Sequence, residues 1–332
     1  MGVKMKLYLG IDMAKHDFAS AIESSDGSIK RSSKKLGNNK RGWNEIKSWV
    51  MKQRSLCKAD AVHMGVESTG GYETEMVEWM RTHTDFEISL LNPIQVKRFI
   101  QSQLIRTKND SVDARMIARY MATHKPLPTP ALAEDVREIR ALTRHLDHLI
   151  RKRADEMTYL ESAKTPVIKS SVKQTIKSFD KQIEKVKKQI GDHLDNHPDL
   201  KKKKELLTSI PGIGDLTAGI LLSEINGSLE PKKQVAHAGL APSERQSGMR
   251  KGKSRLCKTG NRRLRTALFM PTLAAIRCNP VIRRFYLKLI SNGKPKMVAV
   301  AACMRRLLHI VIGVLKNQML FDPDYERLSL DN

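Results

Sequence analysis

Acidic residues are scarce beside basic ones in this chain: 35 Asp and Glu stand against 60 Lys and Arg in 332 residues, a formal charge of +25 and a pI near 10.0. A field of that sign excludes a strongly basic partner and points to a polyanion. Aromatic residues are only 5% of the chain, which leaves little base stacking to sustain binding when salt is raised. The four cysteines, Cys57, Cys257, Cys278 and Cys303, form neither a CxxC pair nor a Cys/His zinc spacing. That excludes a zinc finger and a disulfide framework, so reduced thiols in a cytoplasmic protein are expected. His145/His148 and His193/His197 have helix-compatible metal spacings but lack a third ligand, and solvated helix positions are expected for them. The opening "MGVKMKLYLGIDMAKHD" meets Lys and Asp too soon for a signal peptide, and no run of about 18 apolar residues is long enough to cross a membrane.

What is present suffices for a sizeable core. A hydrophobic fraction of 40% excludes general disorder, and the length fits more than one domain. "KLYLGID" (6–12) and "FASAIES" (18–24) read as a strand pair, "AVHMGVE" (61–67) and "FEISLL" (86–91) as further strands. Helices are expected over 72–82, 93–103 and 109–123, so strands and helices alternate as in an α/β fold. After the Pro-rich "HKPLPTP" (124–130), apolar residues recur at intervals of three and four from Ile139 to Leu149 and from Ile176 to Ile190. Two long amphipathic helices broken near Thr165-Pro166 follow, either a helical hairpin or a coiled-coil dimer arm. Further on, "IPGIG" (210–214) between two apolar helices looks like a helix-hairpin-helix turn, where Gly212 and Gly214 let backbone amides approach a phosphate. Helices over 261–277, 280–290 and 294–317 close the chain.

Four acids stand out by position. Asp12 and Glu67 end apolar strands, while Asp110 and Asp113 are three apart on a helix and so share a face. Hard oxygen donors of this kind suit Mg²⁺, and a pair of such ions can clamp the attacking and leaving oxygens of a phosphodiester. Taken singly, each acid also has a structural explanation as a turn, an ion pair or a helix cap.

The charge is uneven. Residues 1–120 carry 20 basic and 14 acidic groups, residues 201–332 carry 25 and 9. Between Arg245 and Arg265 there are nine Lys or Arg and no acid, with Ser243, Ser247 and Ser254 nearby in a Gly-punctuated run of no helical or strand period. Such a loop can hold a phosphate, and a serine in it can attack one.

The motifs "LGIDMAK", "GVESTGGYE", "RTKNDSVDARMIARY", "IPGIG" and "HAGLAPSERQSGMRKGK", in that order, resemble those of the DEDD transposases of insertion sequences, bridge-RNA-guided recombinases with pilin-gene invertases as relatives. The resemblance implies three parts: a RuvC-like RNase H-fold domain over 1–125, a helical coiled-coil dimerisation arm over 130–200, and a C-terminal helical transposase domain over 201–325. It implies that Asp12, Glu67, Asp110 and Asp113 hold Mg²⁺, and that Ser247 attacks DNA to form a covalent phosphoserine, with Ser243 as the rival. It further implies donor and target DNA and a structured bridge RNA as partners, and a homo-oligomer, dimer or tetramer, in which one protomer's acids meet another's serine. Arg245, Arg250, Lys251, Lys253, Arg255, Arg262 and Arg263 are the expected nucleic-acid contacts. A hydrolytic nuclease of Holliday-junction type and a non-enzymatic nucleic-acid scaffold are the competing readings.

Overall fold

The structure is a computed structural model that describes residues 5–68, 71–104, 109–225, 227, 229–243, 246–247, 250–251 and 255–324, with backbone alone at 246–247 and 250–251. It divides into two compact units, Met1–Ala131 and Leu132–Asn332.

The first unit is a mixed sheet with helices on both faces. In chain order it contains β1 (Lys6–Met13), β2 (Asp17–Ser24), β3 (Lys30–Ser32), β4 (Leu36–Gly37), α1 (Lys40–Leu56), β5 (Ala61–Glu67), α2 (Thr74–His83), β6 (Glu87–Leu91), α3 (Pro93–Ser102) and α4 (Asp110–His124). The strand order is β3-β2-β1-β5-β6, with β4 also on β2. β1 runs antiparallel to β2 and parallel to β5, and β5 runs parallel to β6.

Strand alternation sorts the two faces. Leu7, Leu9, Ile11 and Met13 of β1, with Val62, Met64 and Val66 of β5, pack with Trp43, Ile46 and Val50 of α1 and Met76 and Met80 of α2. Tyr8 faces the other way, with Val96 of α3 and Ile117, Tyr120 and Met121 of α4. α4 lies against the strands at backbone distance. A Cβ on Gly10 would fall 2.3 Å from the Ala118 amide nitrogen, and a Cβ on Gly65 would fall 2.5 Å from the Met121 sulfur. α1, capped by the Asn39 side chain on the Gly42 amide, is an element the sequence patterning leaves unassigned.

The second unit is helical. It comprises α5 (Glu134–Ser162), α6 (Pro166–Asn196), α7 (Pro198–Thr208), α8 (Asp215–Glu224), α9 (Pro231–His237), the two-residue strands β7 (Pro242–Ser243), β8 (Gln246–Ser247), β9 (Arg250–Lys251) and β10 (Arg255–Leu256), then α10 (Arg262–Cys278), α11 (Pro280–Ser291) and α12 (Lys296–Asn317). With the first unit this makes twelve helices among the described residues. Ile139, Leu146 and Leu149 of α5 meet Ile183, Val186 and Ile190 of α6 in the core. Beyond that root, Met157, Tyr159 and Val167 are exposed. α12 is long and apolar enough to cross a membrane by length and composition, although Arg305 and Arg306 interrupt its apolar run. Its Cys303, Leu307, Leu308, Val311 and Ile312 are buried in the core of this unit, which accounts for that composition.

His193 differs from the solvated position expected of it: it is buried, and its Nε2 lies 2.8 Å from the Asp135 carbonyl. His145 and His148 stack on one another, ring centroids 6.5 Å apart. None of the four cysteines is in a disulfide.

Candidate active site: carboxylates under a helix, and a basic serine loop

Ile11 of β1 is paired with Val66 of β5, so Asp12 and Glu67 occupy the next positions on adjacent parallel strands. Ile11 and Val66 face α1 and α2, so alternation turns Asp12 and Glu67 to the face that α4 covers. Both acids are half-buried. α4 begins beside them because the Asn109 side chain caps it on the Val112 amide at 2.9 Å, placing Asp110 and Asp113 in its first turn. Asp113 immediately precedes Ala114, whose carbonyl would lie 2.4 Å from a Cβ on Gly10. Small residues thus let the helix start sit close to the strand that carries Asp12.

Asp110 is engaged by a lysine. Its Oδ2 accepts from Lys35 Nζ at 2.7 Å, and Lys35 also reaches Asp17 Oδ1 at 3.2 Å. The Lys35 hydrogen bond holds the Asp110 carboxyl below the usual range. Among the described residues no three His, Cys, Asp or Glu side chains are grouped to hold a metal ion. The donor chemistry of Asp12, Glu67, Asp110 and Asp113 fits a hard divalent cation, and Asp110 is ion-paired with Lys35.

In the second unit, residues 239–243 and 255–260 leave and re-enter the helical core side by side. β7 pairs with β10 and β8 with β9, both antiparallel. Ser243 is thereby the register partner of Arg255, and Ser247 that of Arg250. These short ladders are absent from the patterning because two residues are too few to show a period. Arg245 and Lys253 lie outside the described residues. Arg255 and Arg262 are exposed, whereas Arg263 is ion-paired with Asp147 at 3.2 Å.

Gly212 has a packing role. Its φ is +103°, and a Cβ there would meet the Ala275 backbone of α10 at 2.8 Å. Gly214 is exposed at the N-cap of α8 with open space around it.

Sequence reasoning missed a buried polar cluster at the base of the serine loop. Glu224, at the end of α8, is 2% exposed. Its Oε2 accepts from Asn261 Nδ2 at 2.8 Å and its Oε1 from Arg144 Nε at 3.2 Å. Arg140 donates to the Ser223 carbonyl at 2.7 Å. Burial alone would raise the Glu224 carboxyl, but Arg144, Asn261 and Arg140 together hold it below its ordinary value. Burial pushes the His237 imidazole down. An acid closing the apolar run "LTAGILLSE" (216–224) and an Asn directly before a helix were the available signals.

Comparison with known proteins covers most of the chain. Residues 9–165 match the family model for DEDD transposases of IS110, described as "Transposase". Residues 204–287 match that described as "Transposase IS116/IS110/IS902 family". The pilin gene-inverting proteins of Moraxella bovis and Moraxella lacunata are each 31% identical over 322 residues, spanning 96% of this chain and 98% of theirs. An uncharacterized 43.6 kDa protein of the insertion element IS110 from Streptomyces coelicolor is 26% identical over 159 residues, 47% of this chain and 38% of its own length.

Proposed function

The chain belongs to the IS110/IS116 family of transposases, whose members act on DNA, and from that premise we propose that it cuts and rejoins DNA through a covalent phosphoserine on Ser247. The observation that carries this reading is the placement of Asp12 and Glu67 at adjoining strand positions on the face covered by α4, whose first turn bears Asp113. The register pairing of Ser247 with Arg250 in a basic loop supports the serine half.

Ser247 Oγ forms a bond to a backbone phosphorus as the bond from phosphorus to the leaving deoxyribose oxygen breaks. The hydroxyl proton ends on that oxygen, leaving a free-hydroxyl strand and a phosphoserine, and attack by a different strand's hydroxyl reverses the exchange and restores the serine. Arg245, Arg250, Lys251 and Lys253 offset charge on the phosphate oxygens. Bound Mg²⁺, held by Asp12, Glu67 and Asp113, and by Asp110 once Lys35 releases it, would polarise the phosphoryl group. Arg255, Arg262 and Arg263, with the amides at Gly212 and Gly214, grip the nucleic-acid backbone, Arg263 after leaving Asp147. A bridge RNA chooses the sequence, in keeping with an aromatic content of only 5%. The arm over 130–200 joins copies of the RuvC-like part (1–125) and transposase part (201–325) into a dimer or tetramer through its exposed Met157, Tyr159 and Val167. Likeness to proteins named for inverting a gene fits strand exchange better than cutting alone.

The experiment is to incubate protein, candidate RNA and Mg²⁺ with end-labelled donor and target DNA, then denature. DNA-linked protein that disappears in Ser247→Ala and Asp12→Ala is expected. A second reading, hydrolysis by the carboxylates alone, is favoured by the same acidic face, which can serve water as readily as serine; free nicked ends that persist in Ser247→Ala would establish it.

A further inference from the structure

One buried carboxylate joins four helices where the serine loop begins and ends. Glu224 closes α8, takes Arg144 from α5, and accepts from Asn261, the residue that caps α10 by receiving the Leu264 amide at 3.1 Å. Asn261 in turn donates its amide to the His237 carbonyl at the end of α9 at 2.5 Å, and its Nδ2 lies 3.4 Å from His237 Nε2. Around this point the loop stem is stitched shut: the Cys257 amide donates to Ala241, the Lys258 amide to Gly239, and Arg265 donates to Ala238. The stem has no slack at Gly260, where a Cβ would fall 2.2 Å from the His237 carbonyl oxygen.

A buried carboxylate that must be kept paired is a poor device for stability, because well-packed apolar residues of similar volume do as well or better. What it does impose is geometry, since each of its polar atoms must keep its partner. We infer that Glu224 is a positioning residue for the serine loop: through Asn261 and His237 it sets where residues 239–260 leave and rejoin the core, and hence how Ser247 is presented to DNA. The presentation part of this inference rests on Ser247 being the nucleophile; the stem part does not.

The test compares Glu224→Ala, Glu224→Gln and Asn261→Ser in the full chain. Asn261→Ser keeps a helix-capping hydroxyl but loses the amide donor to Glu224. Hydrogen exchange at the Cys257, Lys258 and Asn261 amides is read beside exchange at Leu307, Leu308 and Val311 of α12. DNA affinity and the rate of covalent adduct formation at saturating DNA are read separately. Expected for Glu224→Ala and Asn261→Ser is faster exchange at the stem with α12 unchanged, an adduct rate down about tenfold or more, and affinity within about threefold. Glu224→Gln, which retains an acceptor for Asn261, is expected to recover most of the rate. Unchanged stem exchange, or a loss seen in affinity instead of rate, overturns the inference. If Glu224→Ala also loosens α12, Asn261→Ser decides the question. Adduct that survives in Ser247→Ala overturns the nucleophile assignment while leaving the stem result to be judged by exchange alone.

Discussion

Lys35 and Asp110, 75 positions apart in the chain, meet at 2.7 Å, and the same ammonium bridges to Asp17. The contact gives one of the four acids a lysine partner. On the proposed reading, metal and Lys35 compete for Asp110. Lys35→Ala is expected to lower the Mg²⁺ concentration for half-maximal DNA cleavage by about two- to fivefold, the scale of an exposed ion pair. A requirement that rises instead would assign Lys35 to the DNA phosphate.

Gly10 is where α4 touches the sheet with backbone on backbone. Alanine there must displace the helix that carries Asp110 and Asp113, because the Ala114 carbonyl and Ala118 amide cannot yield as a side chain can. Gly10→Ala should cost about 1–3 kcal/mol in urea unfolding and abolish cleavage. Gly65→Ala meets the flexible Met121 side chain and should cost less on both counts. Equal effects would refute this account of the helix seat.

Acid should loosen the fold before the carboxylates titrate. His63, His237 and His309 all have imidazoles held below their ordinary value, with burial the main cause in each. His63 also lies 3.5 Å from Glu87, but burial and Lys6 outweigh that acid, so the contact is not an ion pair at neutral pH. The folded chain therefore binds fewer protons than the unfolded chain just below the ordinary histidine value, and stability rises with pH through that window. The melting temperature should be level from about pH 7 to 8 and fall progressively below about 6.5. His63→Gln, which can still bond Ser89, should flatten part of that fall.

Arg262 and Arg250 should separate by kinetics. Arg262 is exposed at the start of α10, so Arg262→Ala should weaken DNA binding at all sequences and reduce the salt slope by about one. Arg250→Ala, opposite Ser247, should lower the rate of adduct formation at saturating DNA by about tenfold or more. Titrations in varied salt and single-turnover gels measure the two.

The strands carrying Asp12 and Glu67 were legible because each is an apolar run ended by an acid, and α4 because Asn109 caps an apolar period. The face they share was not, since it depends on the register of Ile11 with Val66 and on Gly10 and Gly65 admitting α4. α1 escaped notice because its apolar Trp43, Ile46 and Val50 are spread among charged residues. Lys35 and Glu224 act through partners far along the chain, 75 positions away at Asp110 and 80 at Arg144, and no local pattern encodes such a pairing.

The stem at His237 and Asn261 has a consequence for how such chains diversify. Because its two ends are already hydrogen-bonded to each other, the segment between them can change length at little entropic cost, about 0.6 kcal/mol for each doubling. Insertions and deletions between residues 242 and 256 are therefore expected to leave the urea-unfolding midpoint of the helical core unchanged, the stem acting as a fixed socket for an exchangeable cassette.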